Sequence, residues 1–194
     1  MITRILTIVF ILVAIGIAYY LVDRIRFAID EETRIVSVER QIIDKLRFIR
    51  DAEVAYKEAN GQYTSDWNNL ISFIDTGTIY ITQRREETKL LEYGAEETII
   101  NIDTLDNVPV ADSLFSIPAY SKFKDDLENL SKVPVTGETF ILSADKIRKG
   151  NVDVNVFLVE DPAPVNPARK GENSILGPLR VGSLTEVTIA GNWE

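Results

Sequence analysis

The first sixty residues carry two apolar patterns, one directly after the other. Ile5 to Val22 holds eighteen residues without a charge, and Met1 to Asn60 contains one glycine and no proline. In a helix, eighteen residues extend about 27 Å, close to the roughly 30 Å of a membrane's hydrocarbon core. The pattern therefore predicts a retained transmembrane anchor over residues 1–23, with Tyr19 and Tyr20 at the membrane interface.

The flanks of this run bear on processing and orientation. A cleaved signal peptide is the alternative, but no small-residue cleavage site follows Val22. Arg24 and Arg26 outnumber Arg4, which on its own leaves the orientation ambiguous. Because the N-terminal tail is short and acidic residues at 23 and 30–32 offset the basic ones, we expect a single pass through the bacterial inner membrane, with the domain facing the periplasm.

The second pattern is an amphipathic stalk helix over residues 24–60. Its apolar residues recur mostly at spacings of three and four, as on one helix face: Ile25, Ile29, Ile35, Val38, Ile42, Leu46, Ile49, Ala52, Tyr56 and Ala59. We expect the part after Ile35 to pack on the domain. A coiled coil is the less favoured alternative, because Lys45 occupies a core position of the heptad.

Residues 61–159 are predicted to form an α+β extracytoplasmic domain. Asn60 and Gly61 end the stalk, and a short helix over Asp66 to Ile74 is capped by Thr64 or Ser65 and ended by Gly77. A hairpin is predicted next, with strands Ile79–Ile81 and Thr98–Asp103 joined through Arg84–Gly94 and followed by a turn at Asp106–Pro109. A helix is then predicted over Tyr120–Ser131. Two further strands are predicted over Thr139–Ser143 and Val152–Glu160, with Ala144–Arg148 as an optional helical turn.

The whole pattern predicts a transmembrane helix that continues into a long amphipathic helix packed on a small antiparallel-sheet domain. Residues 160–194 complete the chain as a proline-rich arm and a final strand over Leu184–Ile189, with Trp193 as a lid on the core. The arm is either a plain loop or a partner-docking segment, since proline-rich backbone is extended before it binds. Its docking candidates are Pro162, Pro164, Pro167, Arg169 and Pro178.

Small residues in the anchor suggest a second contact surface. Ala14 and Ala18 lie four residues apart with Gly16 between them, a spacing that lets another helix approach closely. Chance occurrence in an apolar segment is an equally good explanation. A homo-oligomer is left open by the same pattern.

Composition excludes several functions. The chain has no histidine and no cysteine, so thiol catalysis and His-ligated metal sites are impossible. Its net charge of −9 and lack of basic clusters argue against nucleic acid. Paired carboxylates, such as Asp103, Asp106 and Asp112, are the catalytic chemistry that remains, and ordinary surface acids explain them better. We expect no enzyme activity, no cofactor and no metal.

Two resemblances add to this reading. The segment from Leu46 to Thr64, LRFIRDAEVAYKEANGQYT, followed by a helix like Asp66 to Ile74, resembles the N-terminal half of type IV pilins and pseudopilins. The segments DPAP at 161–164 and AGNWE at 190–194 are similar to a family of single-anchor envelope proteins of Bacteroidota. The pilin resemblance implies a pilin-like shape. It does not extend to the processing site or to the glutamate of the apolar segment, because Ile17 follows Gly16 and no acid precedes Asp23.

These observations predict a non-enzymatic, membrane-anchored periplasmic subunit of a multi-protein cell-envelope machine. Secretion, gliding and TonB-linked energised transport are the candidate processes, and other envelope proteins are the expected partners. A tethered glycan- or peptidoglycan-binding module is one alternative, with Tyr93, Tyr120 and Trp193 as exposed aromatic residues. A pilin-like filament subunit is the other, disfavoured by the missing glutamate.

Overall fold

One long helix forms the N-terminal part of the protein. In this computed structural model, which describes residues 2–90, 96–171 and 174–194, helix α1 runs from Ile2 to Asn60. It ends where Gly61 adopts a φ of 78° and donates its N–H to the carbonyl of Lys57 at 2.7 Å. Glycine adopts this left-handed conformation without a side-chain clash, so the predicted end of the helix is confirmed.

The predicted transmembrane anchor over residues 1–23 is wrong. Among the residues that the structure describes, no helix is long and apolar enough to cross a membrane. The physical reason lies in the charges that end the run. Among residues whose side chains are described, the uncharged run is Phe10–Val22, about 20 Å of helix, and Asp23, Arg24 and Arg26 follow it closely, so it falls short of a hydrocarbon core of about 30 Å.

The chain divides into two compact units, Met1–Gln41 and Ile42–Glu194. The second unit is an α+β domain whose first separate helix is α2, Trp67–Thr76. Asp66 caps α2, since its carboxylate accepts the N–H of Asn68 at 2.8 Å. The predicted caps were wrong, although Gly77 ends the helix as predicted.

A two-stranded antiparallel ribbon follows. Strand β1, Thr78–Leu90, pairs with β2, Glu96–Pro109, and one register shift lies between Ile81 and Thr82. Both strands extend beyond the residues whose apolar and polar side chains alternate. The hydrogen bonds between paired strands are made by backbone groups, so they do not depend on the side chains. The predicted connection from Arg84 lies largely within β1, and the predicted turn at Asp106–Pro109 is the end of β2. Residues 91–95, which include Tyr93 and Gly94, lie outside the described residues.

Two helical segments connect this ribbon to the second sheet. Helix α3, Val110–Phe115, was not predicted, and Val110 and Leu114 are its buried residues. A 3₁₀ segment then runs from Pro118 to Asn129 with a kink at Asp126. It stands where an α-helix was predicted over Tyr120–Ser131.

The second sheet has the order β3-β4-β5, and all its strands are antiparallel. The strands are β3, Ile141–Lys149, β4, Val152–Glu160, and β5, Arg180–Gly182. Ala144–Arg148 therefore belongs to a strand and makes no helical turn. The final strand is β5 instead of Leu184–Ile189, and burial explains the difference: Val181 is fully buried, whereas Val187 and Ile189 are exposed.

The core of the domain forms around one face of α1. Phe48 is fully buried and packs its ring 5.1–5.7 Å from the rings of Phe115, Tyr120 and Phe123. The other fully buried large side chains come from α1, α2, the β3–β4 region and the segments beside them: Ile42, Leu46, Ile49, Leu70, Ile74, Leu130, Phe140, Phe157 and Leu179. Since this face of α1 is buried in its own domain, it is not available for a coiled coil.

Candidate interaction surfaces

The most unusual surface of the described residues is the apolar part of α1, which we call the apolar section, residues 10–29. Its large apolar side chains are 48–76 % exposed: Phe10, Ile11, Leu12, Val13, Ile15, Ile17, Tyr19, Tyr20, Leu21, Val22, Ile25, Phe27 and Ile29. Asp23, Arg24 and Arg26 interrupt its C-terminal part. The helix becomes predominantly polar after Ile29, where Arg34 and Glu31 form an ion pair at 2.7 Å. That guanidinium lowers the pKa of the Glu31 carboxyl.

The predicted helix-packing residues lie within this section. Ala14 and Ala18 are one helical turn apart and exposed, and a Cβ added at Gly16 meets no atom within 4 Å. The backbone is therefore open to close approach at these positions. Whether another helix packs there stays a prediction.

The predicted docking residues lie on a loop that closes on itself. Pro167 and Arg169 bound a 3₁₀ turn, and the guanidinium of Arg169 donates to the carbonyl of Gly177 at 3.2 Å. The base of the loop is fixed where the N–H of Asp161 donates to the carbonyl of Leu179 at 2.9 Å. Pro162 and Pro167 are exposed, and Pro164, Arg169 and Pro178 are half-buried. Their role in docking a partner stays a prediction.

Lys45 is buried on the core face of α1, where the sequence pattern predicted a break in the apolar heptad. Its Nζ donates to the carbonyl oxygens of Asn129 and Lys132 at 2.6 and 2.7 Å. Desolvation lowers the pKa of this ammonium group, and the charge of Asp126 opposes that shift. Lys45 thus joins α1 to the end of the 3₁₀ segment, and its position three residues after Ile42 could have predicted its burial.

Glu53 is a second buried ionisable residue of α1, and no role was predicted for it. Its side chain is fully buried; Oε2 accepts the N–H of Thr64 at 3.1 Å, and Oε1 has no partner within the described residues. Burial raises the pKa of Glu53 to about 8, and the hydrogen bond from Thr64 opposes the shift. Its spacing of four from Ile49 is the signal that places it on the core face.

A polar network links the middle of α1 to the end of the chain. The Tyr120 hydroxyl donates to Asp51 at 2.5 Å, and Arg50 contacts both Asp51 at 3.3 Å and Glu194 at 2.8 Å. Desolvation and the Asp51 carboxylate raise the pKa of Tyr120, and Arg50 lowers the pKa of Glu194. Tyr120 is only 8 % exposed, so its ring is not the open platform that the glycan-binding alternative requires.

A shallow cleft of about 440 Å³ lies at the end of α1. Tyr63 and Lys57 line it together with Asn155, Val187 and Ile189. The ammonium group of Lys57 lies 4.8 Å from the centre of the Tyr63 ring, a cation–π contact. The lining is mainly aliphatic and lacks a nucleophile with an adjacent base, so it has the character of a contact surface rather than a catalytic site.

The carboxylates considered for catalysis do not assemble into a described site. Asp112 lies on α3, whereas Asp103 and Asp106 lie on β2, where the side chains are outside the described ones. Asp66 is engaged as the cap of α2. Among residues 2–90, 96–171 and 174–194, no group of three acidic residues could hold a metal ion.

Comparison with protein-family models, with curated proteins and with solved structures finds no match to this chain. The resemblances to pilins and to envelope proteins of Bacteroidota therefore stay predictions.

Proposed function

We propose that this protein is a non-enzymatic subunit of a multi-protein assembly in the bacterial cell envelope, and that it acts through protein–protein contacts of α1. The observation that carries this proposal is the exposure of the apolar section, residues 10–29. Contiguous apolar surface of this kind on a protein marks an interaction site.

The distribution of the apolar side chains favours several neighbours over one. Successive residues of an α-helix are about 100° apart, so Phe10, Ile11, Leu12 and Val13 point to four different sides of α1. A helix that is apolar on all sides is stable only when it is surrounded. Neighbouring helices of an assembly meet this requirement, whereas a single flat docking surface covers only one side.

Because α1 is continuous, a contact made by its apolar section also holds the α+β domain. The same helix contributes the apolar section and the buried face around Leu46 and Phe48. Subunits that surround residues 10–29 therefore tether the α+β domain to the assembly. This role uses no reactive group, in keeping with a chain that lacks histidine and cysteine.

The envelope location and the kind of assembly rest on the sequence resemblance. The segment from Leu46 to Thr64 that resembles pilins and pseudopilins supports a secretion-type machine, and gliding or energised outer-membrane transport remain within the proposal. The glycan-binding alternative receives less support, because Tyr120 is buried and its hydroxyl is bonded to Asp51.

Light scattering on the native protein tests the proposal. The full chain is extracted from its own cells in a mild non-ionic detergent, and the mass of its complex is measured after size exclusion. We expect a complex larger than one 21.9 kDa chain with its detergent. The variant Ile15→Asp, which places a charge in the apolar section, is expected to lose the other subunits of the complex, which mass spectrometry identifies, and the control Val135→Asp, at an exposed turn of the domain, is not. Elution as a lone monomer under all mild conditions contradicts the proposal.

A further inference from the structure

The β1–β2 ribbon carries two strand edges that no described strand covers. Thr78–Leu90 and Glu96–Pro109 pair only with each other, and the ribbon is separate from the sheet β3-β4-β5. A two-stranded ribbon is marginally stable alone, and a free edge offers unpaired N–H and C=O groups to another strand. The ribbon is therefore suited to pair with a further strand.

The second sheet has a matching free edge on β3. The outer side of this strand is occupied as far as Phe140, whose N–H donates to Ser131 and whose carbonyl accepts from the indole of Trp67. Backbone groups of an antiparallel strand alternate between its two sides, and the β3–β4 register is continuous. The backbone groups of Leu142, Ala144, Lys146 and Arg148 therefore point away from β4.

One hydrogen bond supports this assignment of the outer edge. The N–H of Lys146 donates to the carboxylate of Asp145, the preceding residue, at 2.7 Å. A backbone N–H that donates to a carboxylate of its own strand does not donate to a neighbouring strand. Beyond Phe140, β3 thus has a described strand on one side only, and that strand is β4.

The two edges carry opposite charges. Acidic residues are the only charged residues of β2, whereas three of the four charged residues of β3 are basic: Glu96, Glu97, Asp103 and Asp106 on β2, and Asp145, Lys146, Arg148 and Lys149 on β3. Strand β1 carries three basic and two acidic residues between Arg84 and Lys89, so it offers no comparably acidic edge. Opposite charges across neighbouring strands stabilise a sheet.

We propose that β2 of one copy of this protein pairs with β3 of a second copy, so that the ribbon extends the second copy's sheet. The occupant is another copy because one chain supplies both complementary edges, and the two edges belong to separate sheets of that chain. The contact is head-to-tail, since each copy pairs its β2 with one neighbour and its β3 with another. Repetition of such a contact produces rings or open rows of subunits.

Charge reversal on each edge tests this pairing. The β3 variant is Lys146→Glu with Arg148→Glu, which takes the charge of the strand from +2 to −2. The β2 variant is Glu97→Lys with Asp103→Lys and Asp106→Lys, which takes it from −4 to +2. The matched control, Lys124→Glu with Lys170→Glu, makes the same charge change as the β3 variant at exposed positions outside both edges. Each full-length chain is first purified away from other envelope proteins, in detergent at a concentration that covers the apolar section and disperses its contacts. Its self-association is then measured by sedimentation, and circular dichroism verifies that each variant is folded.

We expect the wild type and the control to associate, and each variant alone to associate at least about tenfold more weakly. An equimolar mixture of the two variants is expected to regain association, because the unchanged β2 of the β3 variant meets the unchanged β3 of the β2 variant, and the two altered edges are again opposite in charge. Retained association of the β3 variant, no recovery in the mixture, or a monomeric wild type overturns the proposal. The detergent separates this result from the proposed role of residues 10–29, so either can fail while the other holds.

Discussion

Glu53 is a carboxyl group buried on the core face of α1, and it makes the stability of the domain depend on pH. Burial raises its pKa from an ordinary value of 4.5 to about 8. Between these pH values the unfolded chain binds fewer protons than the folded one, so the free energy of unfolding falls as pH rises. The loss is of the order of 4 kcal/mol by about pH 8.

The variant Glu53→Gln tests this dependence. It removes the ionisable group and keeps an acceptor for the N–H of Thr64, so we expect the fall of the free energy of unfolding between about pH 5 and about pH 8 to become much shallower. The part that remains includes Asp161, a second buried carboxyl whose pKa is raised by burial. Urea unfolding across this range measures the slope, with the exposed Glu58→Gln as the matched control. If Glu53→Gln keeps the slope of the wild type, the buried carboxyl is not its cause.

Lys45 donates to two carbonyl oxygens, and the one of Asn129 also accepts the N–H of Lys132 at 3.0 Å. Lys45→Met keeps most of the aliphatic stem and removes both hydrogen bonds, to Asn129 and Lys132. We expect it to lower the free energy of unfolding by roughly 2–3 kcal/mol, and the control Lys124→Met, at an exposed position, by less than about 0.5 kcal/mol. Chemical denaturation measures both, and equal values speak against a structural role for Lys45.

At the scale of elements, Gly182 determines how β5 meets β4. Its φ is 77°, and a Cβ on this residue collides with the carbonyl oxygen of Phe157. Gly137 has a similar φ of 73°, but no atom lies within 4 Å of its added Cβ. Substitution of each glycine by alanine therefore separates the stability lost to the left-handed conformation from the stability lost to the steric clash.

The pair of variants Gly182→Ala and Gly137→Ala measures this difference. We expect Gly137→Ala to cost about 1–2 kcal/mol for the left-handed conformation, and Gly182→Ala at least about 2 kcal/mol more because β4 and β5 must separate. Thermal unfolding with calorimetry compares them. Equal losses of stability imply that Phe157 and Gly182 are not in close contact.

The elements that could be predicted are those whose signal is local. The end of α1 at Gly61 and the stop of α2 at Gly77 follow from glycine placement, and β4 was predicted with the bounds that it has. The elements that were wrong depend on distant partners. Strand β5 forms because Val181 and Leu179 are buried beside β4, and no local pattern distinguishes them from the equally apolar Val187 and Ile189.

The candidate surfaces show the same division between local and distant causes. The apolar section could be recognised from its composition, whereas its interpretation as a transmembrane anchor was wrong. The buried charges Lys45 and Glu53 occupy helical spacings that predict burial, but their partners lie at Asn129, Lys132 and Thr64. Those contacts depend on the tertiary fold and cannot be deduced from spacing.

At the scale of the whole molecule, the proposed role of α1 is to hold the α+β domain to an assembly. The apolar section lies in the unit Met1–Gln41, and the buried core, the second sheet and the ribbon lie in the unit Ile42–Glu194. Helix α1 runs through both. The central claim is that the apolar section is surrounded by other protein subunits.

Site-specific photo-crosslinking in intact cells tests this claim most directly. A photoreactive amino acid replaces Ile11, Leu12 or Val13, which point to three different sides of α1, and, as a control, Val135, an exposed apolar residue in a turn of the domain. Because an all-apolar helix must be surrounded, discrete protein adducts are expected from all three helix positions and none from Val135. Absence of protein adducts from residues 11, 12 and 13 contradicts the account.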